Sequence, residues 1–126
     1  MPHVLEGITV LDFTWGMAGS MATMVLSDFG AQVIKVEPPG GDPFRAFPPA
    51  LQWNRGKQSV TLNLKEARDR QRALALARRA DVVIESFRPG VAERLGIGYE
   101  ALSAHMPELV YCSITGFGQE GPLSHI

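Results

Sequence analysis

The chain has 126 residues, with 12 Lys and Arg against 13 Asp and Glu, a near-neutral balance that argues against a nucleic-acid binder. Hydrophobic residues make up 45% and charged residues 20%, the balance of a globular domain that buries roughly two-thirds of its unfolded surface, so wholesale disorder is excluded. The longest uncharged stretch, Phe13 to Ser27, is too short for a spanning helix of roughly 20 residues, and no basic segment followed by an apolar core marks the N-terminus as a secretion signal.

Ile8 to Phe13 is a β-rich run, and Ala18 to Phe29 carries Met21, Met24, Val25 and Leu26 at helical spacing until Gly30 stops it. Ala31 to Glu37 follows as a second strand, closed by Pro38-Pro39-Gly40-Gly41-Asp42-Pro43, which cannot continue a ladder. A β-α-β unit of this kind is right-handed with parallel strands, which places the turn from Thr14 to Gly19 at the carboxyl end of the first strand. Ser59 to Leu64 alternates polar and apolar like a half-buried strand, and Glu66 to Ala80 reads as an amphipathic, arginine-rich helix. Asp81 to Glu85 is a buried strand, Pro89 opens a short helix ending at Leu95, Tyr99 to Met106 is helical, and Leu109 to Thr115 is the last strand. Apolar strands alternating with helices predict an α/β fold: a Rossmann-like, mostly parallel sheet with helices on both faces, formed as one domain by residues 1–126. The segment after Pro122 ends without a capping element, directly after a glycine-rich loop, and the expectation is a fragment of a longer protein.

Thr14-Trp15-Gly16-Met17-Ala18-Gly19-Ser20 leads into a helix N-terminus whose free N–H groups and dipole favour a phosphate or carboxylate. Glu37, at the end of the second strand, is placed like the acidic ribose contact of a dinucleotide fold, but Gly16-x-x-Gly19 lacks the glycine spacing of that motif. Asn54-Arg55-Gly56-Lys57, Phe87-Arg88-Pro89-Gly90 and Arg94 put cations at Gly/Pro turns along the strand edges, where folding does not require charge, and predict an anionic ligand. Asp12 reads as a carboxylate closing the turn that follows it, with a general base as the rival role. His3, His105 and His125 are isolated, so no metal site is expected, and His105 is expected on the surface of its helix. Cys112 is the only cysteine; it cannot form an internal disulfide, it suits a reducing cytoplasm, and its apolar neighbours predict a buried strand position.

Read together, six blocks occur in an order that resembles a known family. They are Leu5 to Phe13, Asp28 to Glu37, Gly40-Gly41-Asp42, Asn54 to Ser59, Asp81 to Gly90 and Ser113 to Pro122. The pattern is similar to the N-terminal part of the class III coenzyme A transferases, the family of formyl-CoA transferase, carnitine CoA-transferase and α-methylacyl-CoA racemase. The resemblance implies a cytoplasmic or organellar enzyme of about three times this length, an interlocked homodimer that handles CoA thioesters and carboxylic acids without metal, nucleic acid or membrane. It implies CoA contacts from Met17 and Ala18, from Leu62, Asn63 and Lys65, from Ser86, Phe87, Arg88 and Arg94, and from Thr115, Gly116, Phe117 and Gly118. It also implies an aspartate that carries the acyl group as a mixed anhydride and lies beyond Ile126, so the 126-residue chain alone is expected to be inactive. Met17, Pro38 and Thr115 stand where formyl-CoA transferase has glutamine, arginine and lysine, departures that bear on a formyl or oxalyl substrate but not on the generic CoA contact. Two alternatives stay open: the racemase branch, whose histidine is a later residue than His125, and a non-catalytic nucleotide-binding module.

Overall fold

Five strands form one sheet in the order β3-β2-β1-β4-β5, and every pairing is parallel. They are β1 (Thr9–Phe13), β2 (Gln32–Glu37), β3 (Gln58–Thr61), β4 (Val82–Glu85) and β5 (Val110–Ser113) in a computed structural model that describes residues 2–126. Five helices, α1 (Met17–Asp28), α2 (Ala50–Trp53), α3 (Ala67–Ala77), α4 (Val91–Arg94) and α5 (Tyr99–Ser103), fall between them. The two faces follow from alternation along β1. Leu11 and Phe13 pack with Val36, Leu62 and Val83 against Ala73, Ala77, Ala92 and Leu102 of α3, α4 and α5. Val10, with Val33 and Ile84, packs on the other face against Leu26 of α1. Both faces of the sheet centre are covered, which is why Val10, Leu11 and Phe13 of β1 are buried.

From β1 the chain steps outward to β2 and β3, then returns to the opposite side of β1 for β4 and β5. That reversal opens a crevice beyond the carboxyl ends of β1 and β4, the position at which open α/β sheets bind ligands. Gly16 takes φ 73° to turn the chain into α1 and offers no side-chain cap, so the first amides of α1 remain available. Gly19 is required by contact: a Cβ there would lie 2.3 Å from the Cβ of Thr14.

The expected fold holds, with local differences; the strand expected over Ser59 to Leu64 is Gln58–Thr61, and the last strand is shortened to Val110–Ser113. The segment after Pro43 contains a turn of helix, α2, where only loop was expected; Pro48 and Pro49 start it, and one turn is too short to show periodicity. The expected helices over 66–80 and 99–106 are trimmed to Ala67–Ala77 and Tyr99–Ser103. Cys112 is exposed rather than buried. Its partner across the ladder is Ile84, on the face covered by α1, but β5 is the edge strand and the cover stops short of it. Val110 on the same face is 59% exposed for the same reason.

Candidate functional site

At the carboxyl edge beside β2 and α1, the motif residues are consumed by one another. Asp12 is fully buried; one of its oxygens accepts from the Thr14 N–H at 2.8 Å and hydroxyl at 2.6 Å, the other from the Thr23 hydroxyl at 2.6 Å and Lys57 Nζ at 3.2 Å. It closes its turn and has no lone pair free for a proton-transfer role. Lys57 also donates to the Ser20 carbonyl and Asn54 Oδ1, and burial, the largest effect, pushes its ammonium below the usual lysine range while Asp12 pulls it back. Lys35 pairs with Asp42 at 3.0 Å, both side chains essentially inaccessible, and donates to the Thr14 carbonyl at 2.7 Å. Glu37 accepts Arg45 through both oxygens, a fork that raises the guanidinium's already high pKa and leaves the carboxylate unavailable to a ribose. Arg55 pairs with Asp28 of α1. Asp42 and Lys57 of the Gly-Gly-Asp and Asn-Arg-Gly-Lys blocks are therefore buried struts, Arg55 is held in an exposed pair, and the expectation that Arg55 and Lys57 await an anion is corrected, because each already meets a carboxylate.

The crevice at the β1–β4 reversal is different. The Trp15 N–H donates to Ser86 Oγ at 3.0 Å, and the Trp15 and Phe87 rings meet edge to face at 5.8 Å, so the loops after β1 and β4 are tied together. A Glu85 carboxylate oxygen holds the Phe87 N–H at 2.8 Å and sets the second ring. On the α3 and α4 side of this bridge lies an apolar cleft of about 280 Å3 bounded by Phe13, Trp15, Pro38, Pro39, Leu62 and Phe87, with Asn63 and Lys65 at its edge. Beyond the bridge, a second hollow of about 250 Å3 is bounded by Ser86, Phe87, Arg88, Thr115, Gly116, Phe117 and Gly118. Thr115 Oγ1 accepts the Gly118 N–H at 2.8 Å and curls that glycine loop over its own start.

The structure thus brings Leu62, Asn63, Lys65, Ser86, Phe87, Arg88, Thr115, Gly116, Phe117 and Gly118 to adjoining hollows that share Phe87. Asn63 is engaged locally, its amide donating to Glu66 and its carbonyl oxygen accepting the Lys65 N–H, so it shapes the entry to α3. Arg94, at the end of α4, lies against Gly90 outside both hollows. Lys65, Arg88 and Arg94 are exposed, and among the described residues none of them pairs with a carboxylate. Met17 and Ala18 face elsewhere: Ala18 is exposed in the first turn of α1, and Met17 lines a separate pocket with Met21, Met24 and Trp53. The sequence reading missed Trp15, Pro38 and Pro39 as cleft walls; the signal was available in an aromatic residue inside a glycine loop at a strand's carboxyl end. Among the described residues, no group of three or more His, Cys, Asp or Glu side chains is arranged to hold a metal, and no helix is long and apolar enough to cross a membrane.

Residues 5–126 match the CoA-transferase family III. The chain belongs to that family. An acetyl-CoA:oxalate CoA-transferase of Acetobacter aceti is 47% identical over 95% of the chain and 33% of its own length. A succinyl-CoA:glutarate CoA-transferase of Mus musculus is 44% identical over 96% of the chain and 30% of its own length. The crystal structure of Rv3272 from M. tuberculosis superposes with a TM-score of 0.94 at 46% identity, covering 98% of the chain and 36% of that protein. This family III chain therefore spans about a third of the length of such relatives.

Proposed function

We propose that residues 1–126 form the CoA-binding α/β domain of a CoA transferase that moves CoA between carboxylic acids. The observation that supports this reading is the contrast among cations: those beside α1 are neutralised, whereas Lys65 stands unpaired at the edge of the apolar, aromatic-walled cleft and Arg88 at the adjoining hollow. A purine fits between such walls, and phosphates suit guanidinium and ammonium groups at the edge. The pantetheine arm then runs past the Gly116-Phe117-Gly118 loop, where backbone can approach it closely. Transfer through an aspartyl mixed anhydride, a homodimeric assembly and a cytoplasmic setting complete the proposal, with the acyl-bearing aspartate later than Ile126.

Calorimetric titration of the chain with CoA and with NAD tests the reading. Saturable heat with CoA and none with NAD is the expected result, because Glu37 is held by Arg45 and the α1 loop lacks a pyrophosphate cradle. Equal responses, or none with CoA, overturn it. Acyl exchange by this chain alone is expected to stay at the buffer rate.

A further inference from the structure

Leu62, Asn63, Leu64 and Lys65 bound one side of the aromatic-walled cleft, yet they belong to neither β3, which ends at Thr61, nor α3, which starts at Ala67. Two backbone bonds frame this rim: the Leu62 N–H donates to the Glu37 carbonyl at 2.9 Å, and the Glu66 N–H to the Asn63 carbonyl at 2.9 Å. Between them the chain is gripped by two side chains from the first turn of α3. Asp69 Oδ2 accepts the Asn63 N–H at 2.8 Å. Arg70 Nη1 donates to the Leu64 carbonyl at 3.1 Å and to the Lys65 carbonyl at 2.8 Å. The other Asp69 oxygen accepts from Arg72 at 3.2 Å, so its charge is met within α3. Arg70 has no carboxylate partner among the described residues. Leu62 is also fixed by burial in the core, but Lys65 is exposed, and only bonds to its backbone fix where its stem begins.

We propose that Asp69 and Arg70 are positioning residues for the anionic end of CoA, holding the rim over 62–65 so that the Lys65 ammonium is presented at the cleft edge. The inference rests on the CoA reading above and deepens it by naming what prepares the phosphate contact. Neither residue bounds the cleft, so each acts through the rim and not by touching ligand. The physical reason is preorganisation. A lysine is a point charge on a flexible stem, and a loose rim at its root would have to be ordered at the moment of binding, at a cost in affinity. Asp69 and Arg70 meet that cost when the chain folds, because α3 is already anchored by Ala73 and Ala77 in the core.

The test is calorimetric titration of the chain with CoA, with amide hydrogen exchange and urea midpoints on the same variants. Arg70→Met keeps the aliphatic stem and loses both donations; it is expected to weaken CoA about tenfold, the scale of a charged hydrogen bond. Arg70→Lys, which still donates to a carbonyl, is expected to recover most of that loss. Asp69→Asn keeps an acceptor for the Asn63 N–H and is expected to bind within about twofold of the parent, whereas Asp69→Ala weakens CoA about fivefold. Exchange at the Asn63 amide is expected to speed up in Asp69→Ala alone of that pair. In a Lys65→Met background, Arg70→Met is expected to add no further loss, because the group it positions is gone. Unchanged affinity in Arg70→Met, or losses from Lys65→Met and Arg70→Met that add in the double variant, overturns the positioning role and leaves the CoA reading intact. Arg70→Lys as weak as Arg70→Met, with both equally destabilised in urea, reduces the clamp to an anchor for α3 and overturns it too. If Arg70→Met does not fold, equal affinities for Asp69→Asn and Asp69→Ala overturn the proposal in its place. No saturable heat from the parent chain with CoA sinks the CoA reading, and the positioning role with it.

Discussion

Two stretches of the same sheet edge treat their cations in opposite ways. Beside α1, Lys35 and Lys57 are withdrawn from water and each meets a carboxylate, so their charge holds the β1–α1 loop to β2 and to the segment after α2. Beyond β3 and β4, Lys65 and Arg88 lie exposed at the edges of the two hollows, and Arg94 outside them, with no such partner. The residue types are alike in both places. What separates strut from ligand contact is whether the fold delivers a buried carboxylate to the same point, because a buried charge must be paired locally whereas a solvated one remains available.

The comparison is broken most severely by removing one strut. Lys35→Ala leaves Asp42 buried without its cation and is expected to cost about 3–5 kcal/mol, read as a large fall in the urea midpoint. Replacing both partners, Lys35→Met with Asp42→Leu, should restore most of that loss; if the single variant is as stable as the parent, the pair is not structural. Arg88→Ala probes the other stretch. It is expected to weaken CoA binding by about 1–3 kcal/mol in calorimetry, the scale of a charged hydrogen bond, with an unchanged urea midpoint.

Tyr111 supplies a smaller, pH-dependent test away from both stretches. Burial raises its phenol above the ordinary value of 10.0, and its hydroxyl donates to the Ile97 carbonyl at 3.0 Å. A raised folded-state value means the native protein holds the proton where the unfolded chain releases it. Stability from this group is complete below the ordinary value and declines as pH rises above it. Tyr111→Phe should cost about 1 kcal/mol at neutral pH and flatten the alkaline decline in urea midpoints. The smallest effect belongs to Arg55→Ala. Its pair with Asp28 is half exposed on both sides, and the expected change is under about 1 kcal/mol. A larger fall in the urea midpoint would place Arg55 with the buried struts.

Much of this was legible along the chain. Strand and helix alternation, the parallel sheet, the loop at the end of β1 and the block order are local in sequence, so periodicity, turn residues and short motifs carry them. Cys112 was misread because burial of an edge strand depends on how far α1 reaches across the sheet, which no neighbouring residue encodes. The helix Ala50–Trp53 escaped because four residues show no period.

The sequence by itself determined the fold class, the chain order of the elements and the family, since each rests on patterns spanning a few residues at a time. Only the tertiary structure decided which cations are spent and which are free. Asp12 meets Lys57 and Lys35 meets Asp42 across loops that the sheet brings together, and pairing between distant side chains is a property of packing in space. The same holds for Met17, which the first turn of α1 directs to the methionine pocket rather than to the cleft lined by Trp15.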